Sequence, residues 1–174
     1  VTIDDIVDVI DEEHEEDVMR LGGLSGDDLY RAAFQTMKSR FPWLLINLIT
    51  AVLASLVISI FDATIQEIVA LAVLMPIVAS MGGNAGTQTL TVVVRALSTR
   101  ELSRSNAVRL IGKEVLVAAV NGAVLAVIAG IMAGIWFSDL VLGLVIAVAM
   151  IGNLISAGFF GAVIPVFLER IKVD

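Results

Sequence analysis

The stretch VLVAAVNGAVLAVIAGIMAGIWF, residues 115–137, decides the fold. It runs for 23 residues without a charge, and a helix needs about 20 apolar residues to cross a bilayer. Three further stretches of this kind surround it, at residues 43–61, 68–97 and 140–168. The spans at 68–97 and 140–168 exceed the minimum, so tilt, a break or an extension beyond the hydrocarbon is expected of them. Backbone groups inside hydrocarbon must pair within their own segment, which makes spans of this length helices rather than open strands. The expected fold is all-α: a polytopic helical membrane protein with an amphipathic cytoplasmic helix ahead of the first span.

Composition agrees. Of the 174 residues 58% are hydrophobic and 17% charged, with a mean hydropathy of +0.95, where ordinary soluble domains have about 45–50% apolar and about 25% charged residues. With four apolar runs, these values exclude a disordered chain, a soluble enzyme domain and a nucleic-acid binder. The chain has no Cys and a single His, which removes thiolate metal sites and thiol catalysis and argues against a His-based metal centre.

Charge is unevenly placed. Nine of the eighteen acids lie between Asp4 and Asp17, a stretch without Lys or Arg. The eleven bases fall before the first span (Arg20, Arg31, Lys38, Arg40), between the second and third (Arg95, Arg100, Arg104, Arg109, Lys113), or after the fourth (Arg170, Lys172). The two remaining connections contain none. By the positive-inside rule all eleven lie on the cytoplasmic side, with both termini of this sequence.

Within the second span, Met75-Pro76-Ile77-Val78-Ala79-Ser80-Met81-Gly82-Gly83-Asn84-Ala85-Gly86-Thr87-Gln88-Thr89 combines a proline, three glycines and a cluster of polar side chains. Pro76 removes a helical hydrogen bond and the glycines permit unusual backbone geometry. Amides and hydroxyls left unpaired in hydrocarbon are costly, so they face other helices or water. Either they act as hydrogen-bond glue, or they line a cavity at a discontinuous helix, where oxygen atoms contact an ion. The second reading is preferred. Mg²⁺ gives up its water reluctantly, and Asn84, Thr87 and Gln88 suit contact with the hydrated ion. Asn47, Asn121 and Asn153 place one amide on each of the other spans, each by itself a helix contact. Glu114, beside Lys113, reads as a local ion pair or an interface residue. Gly122, Ala126 and Gly130 form a small-residue stripe for close helix packing.

Ahead of the spans, Asp4–Val18 reads as a helix with an apolar seam of Ile6, Ile10, His14 and Val18. Its acids repel one another at i, i+4 spacing. The helix is either a solvated face or a holder of hard divalent cations, Mg²⁺ or Ca²⁺. Gly22-Gly23 ends it, and a second helix from Ser25 to Phe41 carries Leu29, Ala33, Met37 and Phe41 as one stripe. Pro42 suits the first turn of the first span.

The run Pro76…Gly82-Gly83-Asn84-Ala85-Gly86-Thr87-Gln88…Arg95-Ala96-Leu97 resembles the second transmembrane helix of MgtE-type magnesium transporters. Thr2-Ile3-Asp4-Asp5-Ile6-Val7-Asp8-Val9-Ile10 and Glu15-Glu16-Asp17…Leu21-Gly22 resemble the end of that family's second CBS domain. The resemblance implies a homodimeric, Mg²⁺-selective, channel-like transporter of the bacterial inner membrane, closed by Mg²⁺ bound at its cytosolic domains. It also implies a division into the end of a CBS domain (1–24), a connecting plug helix (25–41) and a transmembrane domain (42–174). Asp5, Asp8, Glu13, Glu16 and Asp17 correspond to regulatory Mg²⁺ positions, and Asn84 to a pore residue beside Gly83, Thr87, Gln88 and Asn153. The family has five spans where this sequence shows four, and the fifth carries a central pore aspartate. Membrane lipid and Mg²⁺ are the expected partners. A membrane-embedded structural or assembly subunit is the competing reading.

Overall fold

The computed structural model describes residues 33–99 and 106–171, together with Met19, Leu24 and Leu102. The described residues form five helices and no strand: α1 (Ala33–Ser59), α2 (Asp62–Glu67), α3 (Val69–Ser98), α4 (Ala107–Phe137) and α5 (Leu140–Arg170). Four of them, α1, α3, α4 and α5, are long and apolar enough to cross a membrane. This is the polytopic all-helical architecture expected from the sequence. The chain divides into two units, Val1–Gln66 and Glu67–Asp174.

In the first unit, α1 begins well ahead of the apolar run and passes through Pro42 without a break. The sequence places a boundary there, with Pro42 opening a new helix, and the structure removes it. Proline in a helix interior costs about 3 kcal/mol when its lost hydrogen bond is buried. Pro42 instead stands where the polar turns carrying Lys38, Ser39 and Arg40 give way to the apolar run, so the freed carbonyl lies near the polar end. None of the side chains on α1 is buried within the unit. In water that apolar surface would be untenable; in hydrocarbon it is solvated. Of the amphipathic stripe, Ala33, Met37 and Phe41 lie on α1 and are exposed, while Leu29 lies outside the described residues. So does the N-terminal acidic helix, and with it Asp5, Asp8, Glu13, Glu16 and Asp17. After α1 the short α2 is braced by Gln66 Nε2 donating to Asp62 Oδ2 at 2.8 Å.

The second unit is organised around α5, which packs along both α3 and α4, while α3 and α4 barely meet each other. A two-residue connection joins α4 to α5. Ser138 ends α4 in the left-handed region (φ 53°), and Asp139 caps α5 by accepting from the amides of Val141 and Leu142 at 2.8 and 3.1 Å. The main core contains Leu74 from α3, Ala126, Ala129 and Ala133 from α4, and Leu142, Ile146, Met150 and Leu154 from α5. Val93, Ala107, Ala162 and Val166 form a smaller cluster at the other end.

Small residues set how closely these helices approach. A Cβ built on Gly143 would lie 2.5 Å from the Gly130 carbonyl oxygen and 3.1 Å from Gly134 Cα, so this seam tolerates only glycine. The α3–α5 crossing is similar: a Cβ on Gly161 would meet the Gly86 carbonyl oxygen at 2.9 Å. These contacts bear out the packing role expected of the Gly122–Ala126–Gly130 stripe. They also correct the expectation of a discontinuous second span. α3 runs without interruption from Val69 to Ser98 through Pro76 and all three glycines. Gly82 and Gly86 admit the neighbouring helix instead of breaking their own, and an unbroken helix leaves fewer backbone groups unpaired in hydrocarbon.

Candidate functional site

The polar side chains of α3 separate onto two faces. Asn84, Thr87, Gln88 and Thr91 follow i, i+3, i+4, i+7 spacing along one stripe, and all four are exposed. Thr87 Oγ1 donates to the Gly83 carbonyl oxygen at 3.0 Å and Thr91 Oγ1 to that of Thr87 at 2.9 Å. The hydroxyls are thus satisfied within α3. Among the described residues, the amides of Asn84 and Gln88 have no hydrogen-bond partner. An amide unpaired in an apolar medium costs about 2 kcal/mol or more, so this stripe requires water, an ion or another polar surface.

The other face carries Gly82, Gly86, Thr89 and Val93 toward the packed interior. Asn153 of α5 lies over Gly82 and donates through Nδ2 to the carbonyl oxygen of Val78. Gly82 is needed here, because a Cβ would occupy the space of the Asn153 amide. Asn153 therefore ties α5 to α3.

Between α3 and α4, above Leu154 of α5, lies an open groove of about 560 Å³. Its polar lining consists of Asn84, Gln88 and Thr89 from α3 and Lys113, Glu114 and Asn121 from α4. The low contact between the two helices produces this opening, and both are held apart by their packing on α5. Thr89 Oγ1 donates to Glu114 Oε2 at 3.4 Å, joining two buried side chains that are 6% and 8% exposed. At about 1.5 Å rise per residue, Asn84 lies about 7.5 Å and Asn121 about 10 Å from that pair, both away from the end bearing Arg95 and Lys113. The groove accordingly has two polar levels, an amide level deeper along the helices and a carboxylate–hydroxyl level near the basic end.

Of the residues expected to line a pore, Asn84 and Gln88 border the groove. Gly83 is exposed with open space around it, Thr87 bonds back into its own helix, and Asn153 sits in the α3–α5 interface. The sequence reading groups Thr89 with the polar cluster of the second span, gives Glu114 as a local ion pair or an interface residue and Asn121 as a helix contact, and counts none of the three as pore-lining; the structure brings all three to the groove. A usable signal was present: counting back in fours from Gly122 gives Ala118 and then Glu114, which places the carboxylate on the packing face of α4. Lys113, one residue earlier, is exposed at the rim of the same groove, while Glu114 is buried.

Comparison with known proteins gives concordant results. Residues 75–174 match the family described as MgtE, divalent cation transporter. The chain is 38% identical over 180 residues to the magnesium transporter MgtE of Bacillus subtilis, covering all of this chain and 39% of that protein. It is 36% identical over 174 residues to the magnesium transporter MgtE of Enterococcus faecalis, covering all of this chain and 38% of the relative. To the magnesium transporter MgtE of Thermus thermophilus it is 31% identical over 179 residues, covering all of this chain and 39% of the relative. The chain thus spans about two-fifths of the length of the curated relatives it matches.

Proposed function

We propose, from the premise that this chain belongs to the MgtE family of divalent cation transporters, that it contributes part of a path for Mg²⁺ across the membrane. The observation that carries the reading is the unpartnered amide of Asn84, exposed on a membrane helix and bordering the α3–α4 groove. An amide oxygen is a hard, neutral ligand. It holds an ion that keeps its water, as Mg²⁺ does, without binding it so tightly that passage stops.

The path is completed by a second copy of the protein, whose matching stripe covers Asn84, Thr87, Gln88 and Thr91. A homodimer accounts for a polar stripe left open on a single copy, since in hydrocarbon polar surface is stable only against polar surface or water. The eleven bases orient the protein with α3 ending, and α4 beginning, at the cytoplasmic face.

Regulation belongs to the acidic segment. Asp5, Asp8, Glu13, Glu16 and Asp17 repel one another and the surfaces they meet; bound Mg²⁺ removes that repulsion and steadies the helix leading into α1. Falling Mg²⁺ restores it and favours the open state.

The test is Mg²⁺ uptake by the full-length protein in cells deficient in Mg²⁺ transport. Asn84→Leu is expected to abolish uptake while leaving membrane insertion unchanged. Uptake at the unsubstituted level would remove Asn84 from the path and favour a packing or assembly role for the polar stripe.

A further inference from the structure

We propose that Glu114 supplies a negative charge to the cation path within this groove, forming an ion station on the basic-end side of Asn84. The inference rests on the reading of the groove as a Mg²⁺ path and adds to it a fixed countercharge on the wall formed by α3 and α4.

The polar lining of the groove described above contains amides, a hydroxyl, one cation and one anion, and the anion is Glu114. Neutral oxygens alone offer a divalent ion no net charge compensation, and Mg²⁺ is characteristically held through one or two carboxylates with several retained waters. Glu114 meets that requirement in its placement. An ionisable side chain buried on a membrane helix is expensive and is retained where it faces a polar cavity or a partner. Glu114 has both. Thr89 occupies Oε2 with a long, weak bond of 3.4 Å. Among the described residues no fully buried side-chain oxygen lacks a partner, and Glu114 makes no other hydrogen bond there. Its second oxygen is therefore not sealed from the surface, and the residue lines the groove.

The position of the carboxylate is fixed by packing. Gly158 of α5 lies beneath this turn of α4, where a Cβ would come 2.6 Å from Ala118 Cβ and 3.3 Å from the Glu114 carbonyl oxygen. The close approach anchors the backbone that carries Glu114, and Thr89 orients the side chain. Lys113 borders the same groove at its basic end, where a positive charge opposes a cation. With Glu114 buried and Lys113 exposed, the carboxylate is the less screened of the two charges. A hydrated divalent cation passing between the amide level and the basic end thus meets Glu114 as its fixed countercharge in the groove.

The experiment uses the full-length protein reconstituted in liposomes, with Mg²⁺ uptake followed against Mg²⁺ concentration for Glu114→Gln, Glu114→Asp, Thr89→Val and Asn84→Leu. Glu114→Gln keeps shape and hydrogen-bonding capacity and removes only charge, so uptake at low Mg²⁺ is expected to fall about tenfold or more. Glu114→Asp should keep most of the activity that Glu114→Gln loses, and Thr89→Val should cost less than Glu114→Gln because the charge remains. Uptake by Glu114→Gln within about twofold of the unsubstituted protein, with Asn84→Leu inactive, would reduce Glu114 to a packing group and leave the groove reading intact; unchanged uptake by both would end the groove reading itself. Should Glu114→Gln fail to fold, the charge is read at Gln88→Cys with Glu114 in place. Cationic and anionic methanethiosulfonate reagents are compared there, relative to their rates with a free thiol. A preference for the cation of about tenfold supports the proposal, and no preference overturns it.

Discussion

The α4–α5 seam and the α3–α4 groove are both gaps between neighbouring helices of one unit, and they are built by opposite means. Along the seam, Gly130, Gly134 and Gly143 bring backbone against backbone, with no polar side chain between. Along the groove, α3 and α4 are each fully engaged by α5 and leave each other alone, and amides, a hydroxyl and a carboxylate line the space. Membrane helices gain nothing from the hydrophobic effect when they meet, because lipid is as apolar as their own side chains. Closeness then depends on small residues, and the separation of α3 from α4 on their common packing against α5. The protein uses glycine contacts to make a close pair and shared packing on α5 to keep a polar groove open.

The largest effect is expected where the seam is tightest. Gly143→Leu must push α4 and α5 apart, at a cost of about 1–3 kcal/mol or more, and should lower the thermal midpoint of the detergent-solubilised protein or prevent its accumulation. Gly82→Ala comes next. Its new methyl displaces the Asn153 amide and breaks the bond to the Val78 carbonyl, at about 1 kcal/mol, read in the same melt. Gly83→Ala is the control on the open side. A Cβ there meets nothing within 4 Å, so stability should not fall and should rise by up to about 1 kcal/mol through helix propensity. Equal effects of these substitutions would erase the distinction between closed seam and open groove.

A fourth prediction concerns the acidic segment. On the proposed sensing role, Mg²⁺ should protect the full-length protein against proteolysis near Gly22-Gly23, and neutralising Asp8, Glu13 and Glu16 to Asn, Gln and Gln should weaken that protection. Protection retained in full would separate those residues from Mg²⁺ sensing.

Much of this organisation is legible in the sequence because hydrocarbon imposes simple rules. Length and absence of charge define four spans, and the i, i+4 recurrence of Gly122, Ala126 and Gly130 announces a packing face. What the sequence hides is how a local preference is overruled by its neighbours. Pro76 and the glycines of α3 read as a break, yet the cost of unpaired backbone in lipid and the close approach of Ala157 and Gly161 keep the helix whole. Asn84 and Asn153 look alike in sequence; only the packing of α5 over Gly82 shows that one is a tie and the other is open. Glu114 reads in sequence as either a partner of Lys113 or an interface residue; only the packing of Gly158 and the bond from Thr89 show it buried at the groove.

The central claim, that the polar stripe of α3 faces a wet path used by Mg²⁺, is tested most directly by cysteine accessibility. The 174 residues contain no cysteine; in a full-length protein with any cysteine elsewhere replaced, single cysteines at Asn84 in the groove and Ala147 in the seam can be compared. A membrane-impermeant cationic thiol reagent should modify Asn84→Cys readily, Mg²⁺ should slow that reaction, and Ala147→Cys should stay unreactive. Failure of the reagent to reach position 84, or modification there that Mg²⁺ leaves unchanged, would contradict the account.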